Sequence, residues 1–169
     1  MTGYTVEGWT DLFLCAGGAA AALCGLIFVG LSVNLRAVLR LENGRGRDSM
    51  TGRAFEAFAA LLIVLVVSIV GLTPALSTNV LAAFVLANAV VNAISPCRAL
   101  LLGRGKEAPT AAMLLRLFVA AALTFTLVAA GATLILGRGG GLYWLPAAFV
   151  LAFTVAAVHA WVILVEVVR

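Results

Sequence analysis

The chain has 169 residues, 64% hydrophobic and 11% charged, with a mean hydropathy of +1.17. Soluble domains run about 45–50% apolar and about 25% charged, so this composition excludes an ordinary water-soluble domain and calls for lipid as solvent. The net charge of +4 does not point to nucleic acid, because the basic residues lie between apolar runs and read as topology signals and contacts for anionic headgroups.

A helical crossing needs about 20 apolar residues. Five stretches fit, over 12–35, 54–72, 79–96, 113–136 and 142–165. The expectation is one all-α membrane domain over 1–169, a polytopic five-transmembrane-helix bundle.

The tail "MTGYTVEGWTD" carries no Lys or Arg. Its lack of a basic start argues against a cleavable signal peptide, so span one is expected to stay as an anchor. Within that span, Gly17, Ala21 and Gly25 recur every four residues, as do Gly18 and Ala22. Such a small-residue ridge lets another helix approach closely, either inside the chain or from a second subunit. Asn34 closes the span.

The segment that follows, "RAVLRLENGRGRDSMTGR", is rich in arginine. Glu56 then opens span two, and Ser68 lies deep within it. A membrane-embedded hydroxyl is expected to bond its own backbone or a neighbour. The turn "TPALSTN" is free of basic residues and leads to span three, the shortest and most polar of the five.

Span three holds Asn88, Asn92 and Ser95 in "LANAVVNAISPC". At about 100° per residue these three share one helix face. An amide turned to lipid would lack a partner, so the face is expected to meet protein or water. It reads either as interhelical glue or as the lining of a wet cavity.

Span four carries Thr124, Thr126 and a second small pair, Ala130 and Gly131. Span five carries the single histidine, His159, with Glu166 two turns later on the same face. His159 is expected about 10 Å from the inner boundary, counted at 1.5 Å per residue. The candidate polar layer is therefore Asn34, Glu56, Asn88, Asn92, Ser95, His159 and Glu166. Two bland roles compete with it: ion pairing of the carboxylates with interfacial arginines, and neutral packing of the imidazole.

With five crossings, ten of the eleven basic residues fall on one side, and only Arg138 on the other. The expected orientation is N-terminus out and C-terminus in. Trp9, Tyr143 and Trp144 then sit at the outer interface, where aromatic amphiphiles gather.

Cys15, Cys24 and Cys97 form no metal-ligand spacing, and one histidine cannot build a His-rich metal site. No nucleophile elbow, zinc-protease or phosphate-loop pattern is present, so neither a catalytic residue, a metal nor a cofactor is expected.

"GLIFVGLSVNLR" and "HAWVILVEVVR" resemble a class of uncharacterised small multi-pass integral membrane proteins of high-GC bacteria. The resemblance covers the two ends of the chain and transfers no functional residue. It implies the bacterial cytoplasmic membrane as the location, and some members of the class are described as modulators of a membrane-anchored protease. The expected function is a homo-oligomeric ion channel or transport-type protein with a polar cavity on the cytoplasmic side. The alternative is a non-catalytic scaffold or regulatory subunit that binds a larger membrane protein.

Overall fold

The structure is a computed structural model that describes residues 3–33, 50–102 and 111–168, with side chains over 3–33, 54–94, at 97, 114 and 115, and over 117–161. The long apolar runs fold as five α-helices, and one of them runs on past Pro96. They are α1 (Thr10–Val33), α2 (Met50–Leu72), α3 (Thr78–Leu102), α4 (Ala111–Leu136) and α5 (Trp144–Val168). Among the described residues there is no strand. Helices satisfy their own backbone polar groups, which suits a chain with spans apolar enough to cross a membrane.

The breaks between helices have local causes. Thr73 Oγ1 donates to Ile69 O and closes the last turn of α2. Pro74 cannot continue the ladder, and Ala75 adopts the left-handed conformation, with φ 58°. Helix α4 ends on Gly137, whose φ of 65° fits a glycine C-cap. A 3-10 turn at Gly141–Tyr143 feeds α5, which has Pro146 in its first turn, a position that tolerates proline.

Helix α2 is central. It packs along α1 and α5 and touches α3; α3 lies along α4, and α4 along α5. One core joins all five, with Phe13, Val64, Leu81, Leu127 and Phe149 among its buried members. A smaller cluster of Cys24, Ala57, Leu61 and Ala156 joins α1, α2 and α5 farther along the bundle.

Of the five expected crossings, four helical stretches are long and apolar enough to span a membrane: Thr10–Val33, Ala54–Leu72, Leu117–Leu136 and Gly141–Trp161. Helix α3 falls short among the described residues, with its apolar stretch confined to Thr78–Ile94. The asparagines dilute it, and Pro96 and Arg98 follow directly in the sequence.

One end of the bundle is capped by the N-terminal segment. Leu142 N donates to Gly3 O at 2.7 Å, Gly140 N donates to Tyr4 Oη at 3.0 Å, and Thr78 Oγ1 donates to Tyr4 O at 3.2 Å. Trp9 meets Tyr143 edge to face, with centroids 5.0 Å apart. The fit depends on Gly141, where φ is 57° and a Cβ would collide with Gly3 O. Beside the cap, an open cavity of about 410 Å³ is lined by Thr5, Glu7, Thr10, Thr73 and Thr78 among others.

Candidate functional site

Two of the expected polar residues meet. Glu56 lies in the second turn of α2 and His159 toward the far end of α5, and His159 Nε2 is 3.2 Å from Glu56 Oε2. His159 Nδ1 lies 2.7 Å from Val155 O one turn earlier in its own helix. The carbonyl can only accept, so this contact is a hydrogen bond in the tautomer that has its proton on Nδ1. His159 is buried, with 8% exposure, and Glu56 is half-buried. His159 is not the only partner of Glu56.

Small side chains make the contact geometrically available. Ala57 follows Glu56, and Ala156 precedes His159 by nearly one turn; both are buried where α2 meets α5, in the cluster that includes Cys24 of α1. Ile27, Phe58 and Phe153 pack around that cluster. One flank of the pair is thus apolar, a setting in which a charge-assisted hydrogen bond is stronger than in water.

The asparagines bond elsewhere. Asn92 Nδ2 donates to Thr124 Oγ1 at 2.9 Å and approaches Ala120 O at 3.3 Å. Thr124 Oγ1 passes its own hydrogen to Ala120 O at 2.9 Å. This arrangement ties α3 to α4. Asn88 Nδ2 donates to Phe84 O within α3 at 2.8 Å. The side chains of Ser95 and Glu166, and Asn34 as a whole, lie outside the described residues. The sequence placed both Glu56 and Glu166 in one layer with His159; the structure brings Glu56 to it.

The small-residue ridge divides. Gly17 is buried, and a Cβ there would lie 2.9 Å from Ser68 Cβ. Gly18, Ala21, Ala22 and Gly25 are exposed, and nothing stands within 4 Å of a Cβ at Gly18 or Gly25. The face that packs inside the chain runs through Phe13, Ala16, Ala20 and Cys24 instead. In the second small pair, Gly131 is closed in by Leu86 and Ala82 O of α3.

Thr124 and Thr126 bond as the sequence suggests, Thr126 Oγ1 donating to Leu123 O at 2.9 Å. Ser68 does not: its Oγ is fully buried and has no hydrogen-bond partner among the described residues. Tyr4 was not a candidate residue in the sequence, yet it holds two segments of the cap. Its position in a short N-terminal tail offered no signal of that role. Among the described residues, no three His, Cys, Asp or Glu side chains gather as metal ligands would.

No protein-family model, curated protein or solved structure matches this chain. The function must therefore be read from the chain's own chemistry.

Proposed function

We propose that this chain is a homo-oligomeric channel or transport-type protein of the bacterial cytoplasmic membrane whose working polar layer is centred on Glu56 and His159. The observation that supports it is the contact between their side chains, 3.2 Å apart, across two apolar helices. Ionisable groups inside a membrane are costly, and a buried pair of them is by default a candidate for an ion or substrate path. In this reading Asn92 is structural glue that holds α3 to α4 beside the path.

All five helices cross in this reading, with the N-terminus out and the C-terminus in. Ten of the eleven basic residues then flank the inner end, where they meet anionic headgroups. Helix α3 crosses by local thinning of the bilayer. The capped end faces outward, so water reaches the polar layer from the cytoplasmic side. The chain has no catalytic role.

The test is the mass of the purified particle in nanodiscs, followed by ion flux in liposomes. A discrete homo-oligomer with selective flux that changes in His159→Ala and Glu56→Gln supports the reading. An assembled particle without flux refutes it.

A second reading, a scaffold or regulatory subunit for a larger membrane protein, draws on α1. Only 22% of its apolar window is covered inside the molecule, and Gly18 and Gly25 lie open on its surface. Photocrosslinkers at Gly18 and Gly25 in cells would trap a different protein under that reading and a second copy of this chain under the first.

A further inference from the structure

We infer that Glu56 and His159 form a one-proton latch that holds α2 to α5, closed while a single proton is shared between Nε2 and Oε2 and opened when that proton leaves. The inference rests on the transport reading only for its purpose; the latch itself rests on geometry.

The imidazole makes two contacts, one to an atom that can only accept and one to a carboxyl oxygen. Val155 O lies 2.7 Å from Nδ1, and Glu56 Oε2 lies 3.2 Å from Nε2. Keeping both requires a proton on Nδ1 and a second proton between Nε2 and Oε2. Two states meet this requirement: imidazolium facing carboxylate, and neutral imidazole facing carboxylic acid. They differ only in where the shared proton sits, and both have zero net charge.

Removal of that proton to water leaves a neutral ring beside a carboxylate. One proton then has to serve two contacts. If it stays on Nδ1, a lone pair faces Oε2 across 3.2 Å. If the other tautomer forms, a lone pair faces Val155 O across 2.7 Å. Either way one contact becomes repulsive, and the partly desolvated setting strengthens the repulsion. Addition of a second proton leaves the Nε2–H donor in place but removes the opposing charge, so the latch weakens without reversing.

Among the described side chains, few other groups titrate nearby, and Glu56 has a further partner besides His159. On α1 the Cys24 thiol lies in the apolar cluster beside the pair. On α3 the exposed thiol of Cys97 is present, and α4 offers no ionisable group among its described side chains. Glu56 and His159 are the sole ionisable side chains described on α2 and α5. The side chains of Arg53, Arg98, Arg116 and Glu166 lie outside the described residues.

His159 is the only histidine of the chain, so its ring can be observed without assignment. The experiment uses the full chain in lipid bilayers with ¹⁵N-labelled histidine, titrated by solid-state NMR. A parallel sample carries spin labels at Phe55→Cys and Trp161→Cys, two exposed positions, with the three native cysteines replaced by alanine. The expected result is a ring that holds its Nδ1 proton until one titration step, with the label distance growing across that same step as pH rises. Glu56→Gln is expected to abolish the distance change and to uncouple the ring from it.

A ring found without a proton on Nδ1 below that step overturns the latch. So does a distance change that is the same in Glu56→Gln as in the wild type. Liposome flux is measured separately: a working latch in a particle that conducts nothing removes the transport reading alone, and flux with a fixed helix distance removes the latch alone.

Discussion

Asn92 of α3 donates its amide to Thr124 Oγ1 of α4 at 2.9 Å, and Thr124 in turn donates to Ala120 O. The amide that the sequence placed in an apolar span thus has its partner on the neighbouring helix. Interhelical bonds of this kind are worth about 0.6–2 kcal/mol. Asn92→Leu and Thr124→Val are each expected to lower stability by that amount. Because both remove the same bond, the double variant should cost less than the sum. Steric-trap or thermal unfolding of the four proteins in bicelles reads the coupling directly, and strict additivity would show the bond to be idle.

Ser68 and Gly17 give a prediction of opposite signs. Ser68 Oγ is buried without a partner among the described residues, and an unsatisfied buried hydroxyl costs about 1–3 kcal/mol. Ser68→Ala removes that cost and is expected to stabilise the protein by about 1 kcal/mol. Gly17→Val brings new carbon atoms against Ser68, where even a Cβ would lie 2.9 Å from its neighbour. That change should part α1 from α2 at a cost of about 1–3 kcal/mol, the usual range for overpacking. The same unfolding assay checks both signs.

The cap depends on Tyr4. Tyr4→Phe deletes the acceptor for Gly140 N and should cost about 0.5–1.5 kcal/mol. The Gly140 amide should then exchange faster with deuterium, while amides in the middle of α2 keep their protection. Gly141→Ala should be worse, because its φ of 57° is left-handed and Gly3 O occupies the place of the new methyl. Equal exchange at Gly140 in wild type and Tyr4→Phe would show that the bond does not hold the cap.

The proposed sidedness rests on the distribution of the basic residues. A cysteine at Glu7 in the cap is expected to react with an impermeant thiol reagent added outside cells, and one at Arg45 only after the membrane is opened. The native cysteines are replaced first. The reverse pattern would invert the orientation proposed from the arginine distribution.

Much of the helical layout is legible in the sequence because hydrophobic length carries it. The expected 12–35, 54–72 and 142–165 correspond to Thr10–Val33, Met50–Leu72 and Trp144–Val168. Partner choice is not legible in the same way. Glu166 shares a face with His159 by simple period, whereas Glu56 reaches it only because α2 packs against α5. Helix order in the bundle is set by shape complementarity among many Ala, Val and Leu side chains, and period does not encode that order. The ridge in α1 teaches the same lesson. Spacing identifies small residues at Gly17, Gly18, Ala21, Ala22 and Gly25, but packing selects the stripe through Ala16, Gly17, Ala20 and Cys24.

The most direct test of the account compares flux in three proteins reconstituted at equal oligomer content: wild type, Glu56→Gln and Asn92→Leu. Liposomes loaded with a pH-sensitive dye and a potential-sensitive dye report which ion moves. The account predicts flux in the wild type, a change of at least tenfold in Glu56→Gln, and near-wild-type flux in whatever fraction of Asn92→Leu assembles. Flux that ignores Glu56 and follows Asn92 would contradict it and move the path to the face shared by α3 and α4.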